Sequence, residues 1–330
     1  MRWRAVIAVP LLALAAGCET LGYYGQAISG HLELMAAARP VESWLAEPGT
    51  APALRSKLET ARRVRAFASA RLGLPDNRSY TSYAALDRPF AVWNVYTAPE
   101  FSVEPKSECF PFAGCVSYRG FFSEARAREH AARLQGEGHD VFVGGVPAYS
   151  TLGRFDDPLL STFIGYPDAQ LARLIVHELA HQLVYVRDDT TFNESFAVAV
   201  EEEGVRRWLR AEGRSRDLDE FERLRARRRE FAARIEETRV RLAALYRQRL
   251  APEAIRERKR AEFERLRAGR ETLVPAGANN AWLASVAIYS QLVPGFERLL
   301  AAAGGDLTAF YARVKEIAAL ERKERLVALK

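Results

Sequence analysis

Residues 177–181 read His177-Glu178-Leu179-Ala180-His181. Histidine is scarce, 5 in a chain of 330 residues, yet two of them stand here four positions apart. Residues i and i+4 of an α-helix share a face, one turn apart. Both imidazoles can therefore reach one tetrahedral Zn²⁺. Glu178 follows the first histidine on the same helix, where its carboxylate can act as general base on a water at the metal. Outward from this motif, Leu171, Leu174, Ile175, Leu179 and Val186 recur at helical spacing and predict a mostly apolar helix. Asp168, after Pro167, offers an N-cap carboxylate. The polar run Arg187-Asp188-Asp189 suits a turn that ends the helix. An unpaired charge on such a helix is costly, so Glu178 needs a reason to be there, and a metal centre supplies one.

A second helix follows, with Asn193 near its start and Glu194 in its first turn, where a carboxylate is favoured by the helix dipole. A short turn would bring Glu194 back over the histidines. Catalytic zinc usually takes three protein ligands and keeps one position for water. The run from His177 to Gln182, followed by Asn193-Glu194-Ser195-Phe196-Ala197, resembles the gluzincin metallopeptidases, especially the aminopeptidase-N-like group. Their second helix carries Asn-Glu-Gly-Phe-Ala. The resemblance implies that His177, His181 and Glu194 hold one Zn²⁺ per chain and that Glu178 is the base. Glu201 and Asn193 are then supporting polar partners of the ligands. The gap from His181 to Glu194 is shorter than in that group, which keeps Glu201 as the alternative third ligand.

The chain as a whole resembles bacterial lipoproteins of a putative aminopeptidase family, through the start Tyr23-Tyr24-Gly25-Gln26 and the segment Cys109-Phe110-Pro111-Phe112-Ala113-Gly114-Cys115. It departs from aminopeptidase N in lacking a Gly-Ala-Met-Glu-Asn element, whose Glu binds the substrate's free amine. The equivalent region, Val143 to Gly153, is expected to be an edge strand that holds an extended peptide by backbone pairing. Pro147 fits such an edge. Gluzincins also take an oxyanion donor from a later helix. Tyr289 is the candidate here, on a helix begun by Asn279 and Asn280, themselves candidate substrate binders.

The N-terminus, Met1-Arg2-Trp3-Arg4 and then an apolar run from Ala5 to Ala16, has the form of a secretory signal peptide. The run is too short for an ordinary membrane span. Ala15-Ala16-Gly17-Cys18 resembles a bacterial lipobox, which implies lipidation at Cys18 and a stable membrane anchor. Glu19, in place of an Asp, favours the outer membrane with the protein facing the periplasm. In that oxidising compartment the remaining cysteines, Cys109 and Cys115, are expected to pair. So short a loop stabilises by roughly 2 kcal/mol.

At 48% hydrophobic residues the chain is globular. Its pattern predicts an α+β, predominantly helical fold: a zincin-like core with a small sheet, plus a long charged antiparallel helical hairpin. The expected segments are 1–17, the lipoprotein signal peptide; 18–87, a helical region; 88–204, the sheet and metal helices; 205–271, the hairpin; and 272–330, a helical region completing the catalytic domain. Leu224, Phe231, Ile235, Val240, Leu242 and Leu245 give the hairpin an apolar stripe. Its Arg residues contribute much of the net charge of +6, and it is expected to be a solvated pair or to meet anionic lipid or a protein partner. Nucleic acid is excluded for an exported chain without interleaved aromatics. His31, His130 and His139 carry no motif and read as surface or loop residues. The function expected is a zinc-dependent peptidase, aminopeptidase-like, acting on peptides in the periplasm. The alternative is an exported lipoprotein with a structural zinc site and the hairpin as a binding module.

Overall fold

The computed structural model of the chain describes residues 22–110 and 114–329. The signal segment and Cys18 lie outside the described residues, as do Pro111, Phe112 and Ala113. The N-terminal part is helical: α1 (22–36), then, after the short strand β1 (Arg39–Pro40), α2 (Val41–Ala46) and α3 (Pro52–Leu72). Next come β2 (Ser82–Ala84), β3 (Val92–Pro99), β4 (Glu108–Phe110), β5 (Gly114–Val116) and β6 (Arg119–Phe121). Helix α4 (Glu124–Gly136) leads into β7 (His139–Val146), and β8 (Leu159–Leu160) into the single turn α5 (Ser161–Ile164). From there the chain is helical: α6 (Asp168–Leu183), α7 (Thr190–Ala211), α8 (Ser215–Tyr246), α9 (Pro252–Arg267), α10 (Asn280–Ala287), α11 (Val293–Ala302), α12 (Leu307–Ala318) and α13 (Arg322–Ala328). Predominantly helical α+β is therefore the fold.

Two small sheets and one hairpin carry the strands, in the orders β1-β2-β8, β6-β3-β7 and β4-β5. In the second sheet β7 pairs antiparallel with β3 alone, so it is an edge strand. Strand β3 is buried on both faces because successive side chains alternate. Trp93 and Val95 pack with Ala127, Ala131 and Leu134 of α4. Tyr96 and Ala98 point the other way, into a cluster with Ala281 and Ile288.

The largest core surrounds α6 and α7. It gathers Leu58, Val64 and Leu72 from α3, Ile175 and Leu179 from α6, Phe192 and Phe196 from α7, and Phe310 and Val314 from α12. Helices α3, α6 and α7 meet closely at Gly204. A Cβ there would stand 2.8 Å from Leu72 and 2.9 Å from Val176. Any larger residue would require the Leu72 or Val176 side chain to give way and would crowd the contact between α6 and α7.

Three local expectations change. Asp168 is the first residue of α6 and Pro167 its N-cap; the carboxylate takes Lys57 Nζ at 2.7 Å and Arg214 Nη1 at 2.9 Å. These partners outweigh its burial and lower its pKa. Val240 is exposed, while Ile235, Leu242 and Leu245 are buried against α9 and α10. Five residues past Ile235 is more than one turn of 3.6, which carries Val240 to the far side. His130 is buried in α4 against Phe121, not at the surface.

Candidate metal centre

Helix α6 turns Leu171, Ile175 and Leu179 into the core, and turns His177 and Glu178 toward a cavity. The chain then doubles back through 184–189. Asn193 holds this bend from both sides: its Nδ2 donates to Val186 O at 2.8 Å and its Oδ1 accepts from Val186 N at 2.7 Å. Helix α7 starts at Thr190, three residues earlier than Asn193, with Asp189 as N-cap accepting from Phe192 N at 3.2 Å. Asp189 also receives the Arg325 guanidinium from α13, at 3.0 and 2.9 Å. Both side chains are buried.

The result is a convergence of three ligating atoms. His177 Nε2 lies 3.2 Å from Glu194 Oε2 and 3.1 Å from His181 Nε2, and His181 Nε2 lies 3.6 Å from the same carboxylate. Ligands at zinc–nitrogen and zinc–oxygen distances of about 2.0–2.1 Å stand about 3.3 Å apart on a tetrahedron's edges, so this donor set fits Zn²⁺. Two of the three donors are imidazoles and one a carboxylate, the borderline-hard set that zinc accepts. Among the described residues no other group of three such side chains could hold a metal ion. Glu201, two turns after Glu194 on the same helix, accepts from His177 Nδ1 at 2.8 Å and receives Arg173 Nε at 3.2 Å. A bond at Nδ1 leaves Nε2 as the ligating nitrogen.

Burial alone would depress the His177 pKa, but Glu194 and Glu201 hold it well above the usual histidine range. Glu194 is buried too, and the two histidines hold its carboxyl below the usual range. In the metal-free protein the raised imidazole pKa contributes stability that is complete below the ordinary histidine value. That contribution fades as pH rises through the raised one. A metal ion bound at Nε2 would have to displace this proton. Zinc affinity is therefore expected to rise from pH 6 to pH 8, by about tenfold per unit for one proton displaced. Titration calorimetry in two buffers of different ionisation enthalpy should show a proton released. A pH-independent affinity with no proton release would contradict it.

Four tyrosines stand around the centre. Burial drives the phenols of Tyr118 and Tyr289 well above their ordinary pKa, with the Glu194 charge adding to it. Burial also pushes Tyr96 up to about 12 and raises Tyr185. All remain proton donors at neutral pH. The Tyr289 ring lies 6.2 Å from that of His177. Tyr289 sits in the turn after α10, not within a helix. Ser195 of α7 fixes this turn, donating to Ile288 O at 3.3 Å and accepting from Leu292 N at 3.2 Å. Tyr118 follows the β4-β5 hairpin, which the Cys109–Cys115 disulfide closes. The hairpin docks on the bend between α6 and α7: Asp188 accepts from Cys115 N, and Thr190 Oγ1 from Ser117 N at 3.3 Å.

Asn279 and Asn280, the candidate substrate binders, are both engaged in structural hydrogen bonds. Asn279 caps α10 through Trp282 N and donates to Val141 O at 3.0 Å. Asn280 is wholly buried, bonding Glu100 O at 2.9 Å and Tyr246 at 2.9 Å. Conversely, no sequence pattern marked Tyr118, Tyr96 or Asp157. Asp157 is fully buried and accepts from Thr151 N at 2.9 Å. Burial raises its pKa to about 6, with the charge of Glu178 adding to the effect.

His177 and Glu178 line a cavity of about 1020 Å³. Its walls come from the edge of β7 and the residues after it (Val146, Pro147), from α6, and from α8 of the hairpin (Arg228, Phe231), with Tyr289 at the same mouth. The family described as "Putative aminopeptidase" matches residues 22–329. No curated protein and no solved structure matches the chain.

Proposed function

The chain belongs to that putative aminopeptidase family, and from this premise we propose that it is a zinc-dependent peptidase of gluzincin type. The observation that carries the reading is the meeting of His177, His181 and Glu194 at 3.1–3.6 Å, beside a cavity that Glu178 lines. His177, His181 and Glu194 would hold Zn²⁺. Bound there, the metal supplies Lewis acidity that polarises a peptide carbonyl and makes water acidic enough to attack at neutral pH.

The residues of the chain perform the rest. Glu178 takes the proton of the attacking water and delivers it to the leaving amine. Glu201 keeps His177 in the tautomer whose Nε2 is free to ligate. Tyr289 and Tyr118, held protonated by burial, donate to the negative charge that develops on the carbonyl oxygen. The extended substrate pairs with the edge of β7 that β3 leaves free beyond Asn279, near Val146, where the strand ends on the cavity. We place the protein in the bacterial cell envelope, anchored through a lipid on Cys18 and facing the periplasm, a reading supported by the N-terminal sequence and by a disulfide suited to an oxidising compartment.

The test is metal analysis joined to hydrolysis. Purified protein is expected to carry one zinc per chain and to cut peptides from a mixed library. Chelation should abolish cleavage and added zinc should restore it. Glu194→Ala should lose both metal and activity. Full zinc content with no peptide cut would instead favour a structural site in a binding module.

A further inference from the structure

The charges on the cavity wall are almost all matched in pairs. Glu201 is taken by His177 and Arg173. Glu297 is taken by Arg225 at 2.7 Å, Glu202 by the same arginine, and Glu236 by Arg239 at 3.3 Å. Glu178 remains as the base. No carboxylate of this wall is thus left to receive a substrate's amine.

The unmatched group is a cation. Arg228 of α8 lines the cavity, and its Nη2 is buried with no hydrogen-bond partner. Its guanidinium lies over the ring of Phe221 at 5.6 Å, which holds it in place from the protein side. It forms no ion pair among the described residues. Burial first, and then the charge of Arg173, lower its pKa more than the charges of Glu202 and Glu201 raise it, because no carboxylate pairs with it directly. Arg173 also lines the cavity, four residues before His177 on α6. That is about 6 Å along the helix, the reach of about two extended residues. An arginine fork in a partly dry wall is the group best suited to grip a planar carboxylate.

Resting on the peptidase reading above, we propose that Arg228, with Arg173 beside it, binds a carboxylate of a short peptide substrate, about two residues from the bond cut. Specificity would then be set at the anionic end of the peptide, not at its amine. Helix α8 would be the part of the charged hairpin that reads the substrate.

Zinc-loaded protein is given tetra-alanine, tetra-alanine amide and the amide of Ala-Ala-Ala-Glu. At least one acid-bearing peptide is expected to exceed the neutral amide in kcat/KM by about tenfold or more, mainly through KM, as a charge-assisted pair would give. The two acids separate a terminal from a side-chain carboxylate. Arg228→Gln should bring the acid-to-amide ratio near one, and Arg228→Lys should restore part of it. Equal use of acid and amide, or a ratio unchanged in Arg228→Gln, would overturn the proposal. If no peptide is cut, the peptidase reading fails by itself. Calorimetric titration of the zinc-loaded protein with the same three peptides then decides the subsite: tighter binding of an acid keeps it, and equal affinities or no binding remove it.

Discussion

Glu178→Gln is expected to lower kcat for peptide hydrolysis by about 10²–10⁴-fold, the usual contribution of a positioned general base, while zinc stays at one per chain. The amide is isosteric with the carboxylate but takes up no proton at neutral pH. It also removes nothing from the metal, because Glu178 is not among the three converging side chains. Peptide affinity should change little, since the loss lies in the proton transfer and not in binding. Steady-state kinetics beside metal analysis read this directly. Unchanged kcat would remove Glu178 as the base, and loss of zinc would make it part of the coordination.

The second large effect is expected far from the chemistry. Asp189 caps α7 and pairs with Arg325, and both are buried. Asp189→Ala leaves a buried guanidinium unpaired and an uncapped helix. Breaking a buried pair costs about 3–5 kcal/mol, and loss of a cap about 1 kcal/mol. Asp189→Asn keeps a capping oxygen while it removes the charge that Arg325 pairs with, so it should still lose most of the ion-pair contribution. Chemical denaturation of the metal-free forms measures both. Zinc affinity should fall with stability, because Glu194 is carried five residues into the helix that Asp189 starts. A Glu194 that still bound zinc at full affinity in Asp189→Ala would show that the bend at Asn193 is enough to place it.

Much of the centre could be read along the chain because its geometry is local. The spacing of His177 and His181 aligns two imidazoles on any helix. Glu194 returns to them through a bend of six residues, 184–189, too short to lead elsewhere. The helical α1–α3 region and the cysteine pair were legible for the same reason: each depends on neighbours within a few positions. Errors arose where a local rule met a distant partner. Asp168 could cap its own helix, yet Lys57 and Arg214 claim its carboxylate. Asn279 and Asn280 look available beside the candidate Tyr289, yet they fasten α10 to β7 and to the end of β3.

That His177 and His181 share a face follows from the sequence by itself, since helix periodicity fixes it; Glu194, implied by the resemblance, is brought beside them by the fold. What that face meets is decided by packing. Tyr96 comes from β3, Tyr118 from the bend between β5 and β6, Tyr289 from a turn that Ser195 holds, and Arg228, more than thirty residues beyond Glu194, from α8. Their pKa shifts and their use to the site arise from burial against partners remote in the chain. Periodicity states that a face will be covered; the tertiary structure decides by which residues, and hence which substrate the metal helix can serve.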